Sequence, residues 1–307
     1  HQNLFITRAK YIGMQKTNST DDLITDSAAS GTALATGTKT NNGMIGVAPD
    51  SSILTSILEL AENKGLATGL VSTSSITHAT PAAFIAHQAS RNMYEEIAAD
   101  FLKTDIDVFI GGGKKHFSQR EDGKNLVSKL RKKDYQVIST QDSLQYIKKG
   151  KLAAFTAHKH NPKYSEGRGD MLPNSTEKAL ELLSQNQDGF FLMVEGSQID
   201  WGGHNNDTRY IINELIDFDK AVGKALAFAE KNKETLVIVT ADHETGGMGI
   251  NGGNLQTGEV KAGYTSGGHT AVWTPVFAFG PGAGQFTGFY DNTDLNKKMC
   301  KTLELEK

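Results

Sequence analysis

The sequence predicts an α/β fold with a mainly parallel central sheet that is covered by helices on both faces. Short apolar runs alternate along the chain with longer segments in which apolar residues recur at helical spacing. Strands that alternate with helices are typical of parallel sheets, whose two faces are both buried. Polar residues follow several of the apolar runs, and ligands of such folds bind at the carboxyl ends of the strands. We therefore expect a functional site at that edge of the sheet.

Five apolar runs that end in small or polar residues predict buried strands. They span residues 66–71, 108–110, 190–194, 236–239 and 275–279. Segments with helical spacing lie between these runs and predict helices at residues 53–63, 93–102, 175–183 and 211–230, and a further helix opens within residues 25–33. The glycine-rich segment 246–268 predicts a loop or a short hairpin near the site. The resulting architecture is a three-layer sandwich.

Composition argues against several classes of protein. The chain has 307 residues, of which 38% are hydrophobic, so it can bury a large core. A formal net charge of -3 argues against a nucleic-acid-binding protein, because phosphate contacts need a basic surface. No apolar run approaches the roughly 18 residues that a membrane span requires. Cys300 is the only cysteine, which excludes an intrachain disulfide and a zinc site made of thiolates.

Several histidines and aspartates that could ligate metal lie among glycines near the predicted strand ends. Asp200 and His204 are four residues apart, a spacing that places both side chains on one side of a helical turn. The Gly202-Gly203 pair between them predicts that no regular helix forms there. The other candidates adjoin predicted strands and are Asp242, His243 and His269. Most of the remaining histidines are expected on the surface, including His158 and His160.

The types of these residues suggest which metals they would bind. Nitrogen and oxygen ligands without thiolates suit zinc, whereas the oxygen ligands Glu195 and Thr80 suit magnesium. Two zinc ions about 3.5 to 4 Å apart could clamp a phosphorus centre for in-line displacement. Ser27 fits the nucleophile of such a site, because a metal-bound hydroxyl loses its proton readily. Arg91 offers a planar fork that matches two phosphoryl oxygens.

Each of these residues also has a simpler explanation when it is taken alone. Ser27 and the preceding Asp26 would belong to an ordinary helix cap, and Arg91 would form a surface ion pair. The basic segment 114–170 is best explained as a solvated face, because acidic residues are interspersed in it. The combination of the site residues, rather than any one of them, favours a catalytic site.

Together these segments resemble the alkaline phosphatase family along nearly the whole chain. The resemblance is carried by the order and spacing of the segments 25–33, 78–81, 90–91, 111–113, 195–204, 240–244 and 268–270. It implies a metal-dependent phosphomonoesterase that forms a phosphoserine at Ser27 and holds phosphate with Arg91. It also implies a site with two zinc ions and one magnesium ion.

The resemblance assigns a role to each candidate residue. The implied ligands of the first zinc are Asp200, His204 and His269, those of the second are Asp242 and His243, and those of magnesium are Thr80 and Glu195. Residues at neighbouring positions, which would bind substrate or tune the site, are Asp26, His78 and Trp201.

The resemblance also implies an overall organisation. We expect a single domain over residues 1–307, with a lysine-rich insert at about 114–170 and a short crown-like loop at about 247–268. The family's first strand, whose Gly-Asp-Gly end supplies a bridging aspartate, has no counterpart in the sequence, so we expect the sheet to lack it. A homodimer, small phosphate monoesters as substrates and a periplasmic or secreted location are implied, although the chain opens without a signal-peptide pattern.

Two alternatives stay open at the level of sequence. A phosphodiesterase or a sulfatase of the same superfamily would share the fold and the metal ligands. A non-catalytic protein that binds metal or phosphate is the alternative from a different class, because the bridging aspartate is missing. Rates on monoester, diester and sulfate substrates would separate the first pair, and turnover would exclude the last.

Overall fold

The computed structural model describes residues 3–305 and has two main sheets at its centre. Over these residues the helices are α1 (Ser27–Thr36), α2 (Ile57–Asn63), α3 (Ala79–Ala82), α4 (Tyr94–Asp100), α5 (Lys114–Ser118), α6 (Leu126–Lys132), α7 (Met171–Leu183), α8 (Gln198–His204), α9 (Thr208–Asn232) and α10 (Asn292–Thr302). The strands are β1 (Tyr11–Lys16), β2 (Ala67–Ser75), β3 (Val108–Gly112), β4 (Gln136–Ile138), β5 (Leu152–Phe155), β6 (Phe190–Glu195), β7 (Val237–Val239), β8 (Glu244–Thr245), β9 (Gly249–Asn254), β10 (Glu259–Gly263), β11 (His269–Thr270), β12 (Thr274–Phe279) and β13 (Gly288–Asp291).

The larger sheet has five parallel strands in the order β4, β5, β3, β2, β6. The second sheet has four strands in the order β13, β1, β12, β7, and β12 runs antiparallel to both of its neighbours. Two short antiparallel ladders join β8 to β11 and β9 to β10. The predicted α/β fold with a mainly parallel sheet is confirmed, and β12 is the main departure from parallel pairing.

Helices cover both faces of the larger sheet. Successive side chains of a strand point to opposite faces, so alternate residues contact helices on different sides. On one face, Leu70 and Phe109 join a buried cluster that includes side chains of α1, α2 and α4. On the other face, Val71 and Ile110 pack with Met171 and other residues of α7 and α9. The three layers of the predicted sandwich are therefore present, with the sheet in the middle.

The predicted helix at residues 53–63 begins four residues later than the apolar pattern suggested, and its cap explains the difference. Ser56 Oγ accepts the backbone N–H of Glu59 (3.2 Å), and the Glu59 carboxylate accepts the N–H of Ser56 (2.8 Å). This capping box fixes the helix start. Ile53 instead forms an isolated bridge with Val47.

The lysine-rich segment 114–170 contributes to the central sheet. It contains β4 and β5, which extend the parallel sheet beyond β3. Near its end Arg168 is fully buried and donates hydrogen bonds to Glu214 and, at 2.8 Å, to Asp217, both on α9. A buried guanidinium needs such partners, so this ion-pair cluster ties the end of the segment to α9.

A groove separates the two sheets. Over the described residues, β6 pairs only with β2, and β7 pairs only with β12. All nine residues of β2 are buried, whereas all six residues of β6 are half-buried. The groove is part of a cavity of about 1110 Å³ whose walls include Phe191, Met193 and Ile238. A missing strand, as expected from the sequence, would leave such an opening, and that expectation stays a prediction.

The glycine-rich segment 246–268 contains a hairpin, as predicted. Its strands β9 and β10 pair antiparallel, with a register shift between Lys261 and Ala262, and β9 is exposed throughout. Within residues 3–305, no helix combines the length and the apolar character that crossing a membrane requires.

Candidate metal and catalytic site

Ser27 is the first residue of α1 and lies against the loop that follows β7. Asp26 caps the helix by accepting a backbone N–H at 2.9 Å. The Ser27 hydroxyl is buried, and its Oγ lies 3.0 Å from His243 Nε2. One turn later, Ser30 Oγ donates a hydrogen bond to the Asp242 carbonyl at 2.6 Å. These contacts hold the positive end of the helix beside two candidate metal ligands.

His204 and His269 face each other in a way that fits a shared cation. The Nδ1 atoms lie 2.9 and 2.8 Å from the backbone carbonyls of Gly267 and Thr25, so each Nδ1 carries the proton. The two Nε2 atoms are 3.2 Å apart and therefore present lone pairs to each other. Asp200 Oδ1 lies 3.4 and 3.5 Å from them. Such a set of acceptors repels itself unless a cation binds between them.

Thr245 fixes Asp200 and His243 relative to each other. Its Oγ1 donates to Asp200 Oδ1 at 2.6 Å, and, because a hydroxyl has one proton, it accepts from His243 Nδ1 at 3.2 Å. The His243 Nε2 lone pair then faces Ser27 Oγ and Asp242 Oδ2, which are 3.0 and 3.2 Å away. The ligand atoms of Asp200, His243 and His269 all lie within 4.8 Å of one another.

The carboxylates beside these imidazoles are held in their ionised form. Burial opposes ionisation of Asp200, but in the protonated form of the imidazoles a hydrogen bond from His269 and the charge of His243 keep the pKa of Asp200 well below the usual range. Burial likewise opposes ionisation of Asp242, and His243 lowers the pKa of that carboxyl. Burial tends to lower the pKa of His243, but Asp242 raises it. The donor set therefore has the charge and the atom types of a zinc site.

Glu195 ends β6 and has different surroundings. Its Oε2 accepts hydrogen bonds from Ser72 (2.7 Å) and Ser197 (2.6 Å). Burial raises the pKa of Glu195, although hydrogen bonds from Ser197, Ser72 and Thr80 act in the opposite direction. Oxygen donors without imidazole suit a hard cation such as magnesium.

Arg91 is held against α1 by Asp26. Its Nη1 donates to Asp26 Oδ2 at 2.8 Å, while its backbone N–H donates to the Gly43 carbonyl at 2.7 Å. Asp26 thus uses one carboxylate oxygen to cap α1 and the other to orient the guanidinium. A surface ion pair alone does not describe this arrangement, because both side chains are mostly buried, with 23% and 21% exposed.

Three aromatic rings border the site. The ring centroid of His78 is 6.1 Å from that of Trp201, and the His160 ring lies 5.6 Å from His78 and 4.9 Å from Trp201. Burial and the charge of Arg91 lower the pKa of His78 to about 3, so it is neutral near pH 7. His160 is exposed, as predicted, but no pattern in the sequence indicated that it would lie beside this pair.

The expectation that Gly202-Gly203 prevents a regular helix is wrong. Both residues lie inside α8, which carries Asp200 and His204 on one side. A Cβ atom on Gly202 would lie 2.8 Å from the Ile211 nitrogen, and one on Gly203 would lie 2.7 Å from the Thr245 carbonyl oxygen. The glycines therefore allow α8 to approach α9 and β8 closely, and packing outweighs their low helix propensity.

The structure brings the predicted site residues to one edge of the sheets. Those that line the same cavity are Ser27, His78, Thr80, Glu195, Asp200, Asp242 and His243. His204 and His269 adjoin the cavity through Asp200, and Trp201 adjoins it through His78. Arg91 is hydrogen-bonded to Asp26, the residue before Ser27. Contributors that the sequence did not single out are Thr245, Ser72, Ser197 and His160. Ser72 directly follows the predicted strand 66–71, and Ser197 lies three residues beyond the predicted strand 190–194, so their places near strand ends could have pointed to them.

The fold and this donor set define a metal-dependent hydrolase. The family model for alkaline phosphatase matches residues 1–262. Alkaline phosphatase 4 of Bacillus subtilis is 36% identical over 92% of this chain and 77% of its own length. Streptomycin-6-phosphate phosphatase of Streptomyces griseus is 32% identical over 92% of this chain and 79% of its own length.

Solved structures agree with the sequence relatives. The alkaline phosphatase from the Antarctic bacterium TAB5 superposes with a TM-score of 0.94 and 42% identity, and the match covers 100% of this chain and 92% of that one. A histidine-to-aspartate variant of the TAB5 enzyme has magnesium bound in its M3 site. The present chain belongs to the alkaline phosphatase family, whose members are metal-dependent hydrolases.

Proposed function

We propose that this protein hydrolyses phosphate monoesters through a phosphoserine on Ser27 and releases inorganic phosphate and an alcohol. The observation that carries the proposal is the position of Ser27 Oγ, at the N-terminus of α1 and 3.0 Å from His243 Nε2. A helix N-terminus attracts phosphoryl oxygens, and the neighbouring carboxylates and imidazoles fit the metal ions that such chemistry uses. Membership of the alkaline phosphatase family supports the same reaction.

The reaction has two steps. Ser27 Oγ attacks phosphorus as its proton leaves, the bond from phosphorus to the alcohol oxygen breaks, and that oxygen takes up a proton. Water then attacks the phosphorus of phosphoserine, Ser27 regains a proton, and inorganic phosphate leaves. Arg91 would hold two phosphoryl oxygens in both steps, and Asp26 keeps its guanidinium in place through the 2.8 Å hydrogen bond.

We propose that the site binds two zinc ions and one magnesium ion. When bound, these cations supply Lewis-acid chemistry by lowering the pKa of coordinated hydroxyls and stabilising negative charge on phosphoryl oxygens. The residues that would hold the first zinc are Asp200, His204 and His269, those for the second are Asp242 and His243, and those for magnesium are Thr80 and Glu195. His78 and Trp201 would tune the magnesium site and phosphate binding from the adjacent wall.

A direct test is to compare rates on p-nitrophenyl phosphate, bis-p-nitrophenyl phosphate and p-nitrophenyl sulfate. The proposal expects the monoester to be hydrolysed fastest, and a preference for the diester or the sulfate would overturn it. Labelled phosphate should be trapped on the protein after an acid quench, and Ser27→Ala should abolish the label. Tight phosphate binding without turnover would support a non-catalytic binder instead.

We further propose that small phosphate monoesters of varied structure are substrates, that the protein forms a homodimer and that it acts in the periplasm or outside the cell. These proposals rest on the family resemblance. In the same way, we propose that residues 1–307 form one alkaline phosphatase-like domain, in which the hairpin of β9 and β10 takes the place of a crown-like loop.

A further inference from the structure

The Glu195 carboxylate accepts hydrogen bonds from serines in two different parts of the fold. Ser72 lies on β2, and Ser197 follows β6 at the start of α8. Both hydroxyls donate to the same carboxylate oxygen, Oε2, at 2.7 and 2.6 Å. Ser72 is fully buried and Ser197 is 6% exposed, so water contributes little to this contact.

The protons of this cluster can be assigned from its geometry. A serine hydroxyl has one proton, and Ser72 and Ser197 each use it on Glu195. Their oxygens lie 2.9 Å apart, and both accept the backbone N–H of Ser74, each at 3.1 Å. In this arrangement Oε2 accepts both hydroxyl protons, as an oxygen of an ionised carboxylate does.

Both hydroxyls converge on one oxygen, Oε2, and Glu195 lines the same cavity as Thr80. Two buried donors on one oxygen restrict rotation of the carboxylate and so fix the direction in which the second oxygen, Oε1, points. This is how groups behind a metal ligand orient it.

We propose that Ser72 and Ser197 are positioning residues that hold the Glu195 carboxylate ready to bind a hard divalent cation of the magnesium class. The proposal rests on the proposed function only in taking Glu195 as a ligand of that cation. The serines do not touch the substrate or the ion. Their effect is to make the free site resemble the bound site, so that little reorganisation accompanies binding.

The test is calorimetric titration of Mg²⁺ into the zinc-loaded protein. We expect Ser72→Ala and Ser197→Ala each to weaken Mg²⁺ binding, and the double variant to raise the Kd by about 10- to 100-fold. The zinc content, measured by atomic emission, should stay at the wild-type value. Ser197→Thr keeps the hydroxyl and should restore Mg²⁺ binding to near the wild-type Kd.

Ser175→Ala is the matched control, because Ser175 is also fully buried but its hydroxyl has no hydrogen-bond partner among the described residues. We expect it to bind Mg²⁺ like the wild type. A double variant that binds Mg²⁺ with the wild-type Kd overturns the proposal, and so does a wild type that binds no Mg²⁺. If the single variants melt at lower temperature with an unchanged Kd, the serines are only structural. Because binding is measured without turnover, failure of the proposed phosphatase activity would be seen separately.

Discussion

Glu195 and Asp200 lie close together in the chain and line the same cavity, yet the groups that surround their carboxylates differ. Both are penalised by burial. Around Asp200, protonated His269 and His243, the Thr245 hydroxyl and His204 reverse that penalty and keep the pKa of the carboxyl well below its usual range. Around Glu195 the partners are hydroxyls, which reduce the penalty without removing it, and the pKa stays raised.

This difference divides the site into two corners. The imidazole corner consists of Asp200, His204, Asp242, His243 and His269. The hydroxyl corner consists of Glu195, Thr80, Ser72 and Ser197. The first offers nitrogen donors and carboxylates that are already ionised, as zinc prefers, and the second offers oxygen donors alone, as magnesium prefers. One edge of the sheets can thus hold two kinds of metal because neighbouring side chains, rather than the carboxylates themselves, set the chemistry.

The largest expected effect is at the imidazole corner. Asp200→Asn keeps the shape of the side chain but removes the charge that lies beside His204 and His269. We expect loss of zinc and a fall in kcat/KM of roughly 10³-fold, because metal polarisation supplies several kcal/mol of transition-state stabilisation. Metal analysis and steady-state kinetics check this together. A variant with full zinc content and an unchanged rate would show that Asp200 is not a ligand.

A smaller loss is expected at the hydroxyl corner. Glu195→Gln should release magnesium and lower kcat by about 10- to 100-fold, while the zinc content stays the same. If this variant loses zinc as readily as Asp200→Asn, the imidazole corner and the hydroxyl corner do not bind their metals independently.

Thr245 offers a milder way to disturb the imidazole corner. Thr245→Val preserves the shape but removes the hydroxyl that links Asp200 to His243. We expect zinc to bind about tenfold more weakly, at the lower end of the range for residues that orient metal ligands. Thr245→Ser should recover most of the affinity. Equal affinities for all three proteins would contradict a positioning role.

His116 shows how burial changes a pKa when no carboxylate is nearby. We expect this group to affect the stability of the protein and not its activity. It stacks on Tyr94, its Nδ1 lies 2.6 Å from Thr77 Oγ1, and burial with the charge of Lys115 lowers its pKa to about 4. The unfolded chain binds the proton more readily than the folded protein. The contribution of neutral His116 to the free energy of unfolding is therefore fully present above pH 6.5 and is lost as the pH drops towards 4. We expect this group to account for about 1 to 2 kcal/mol between pH 7.5 and pH 5, since its shielding from water is incomplete.

Urea unfolding at these two pH values measures the effect. In His116→Gln the drop in the free energy of unfolding should be smaller than in the wild type, and activity at pH 8 should be unchanged. An identical drop in both proteins would mean that His116 is not a source of the acid sensitivity.

The sequence predicted much of the frame of this protein. Apolar runs located five of the strands, β2, β3, β6, β7 and β12, because an apolar run is a local property of composition. Asp26 and Ser27 marked a helix start, because a cap involves residues only three apart. The candidate ligands were found through their residue types and through the family resemblance, which the comparisons confirmed.

Other features depended on contacts between distant parts of the chain. Gly202 and Gly203 lie in a helix because α9 and β8 approach them, and no local pattern reports that approach. The groove between β6 and β7 also appears only when the two sheets are assembled.

For this protein, the sequence by itself determined several of the strands and helices, the residue types of the site and the family. Only the tertiary structure decided which carboxylate has which partners. Ser72 and Glu195 are 123 residues apart, and Thr245 and Asp200 are 45 apart, so neither hydrogen bond follows from local pattern. Propensities act over a few residues, whereas the electrostatics of a buried group are set by whatever the fold packs against it.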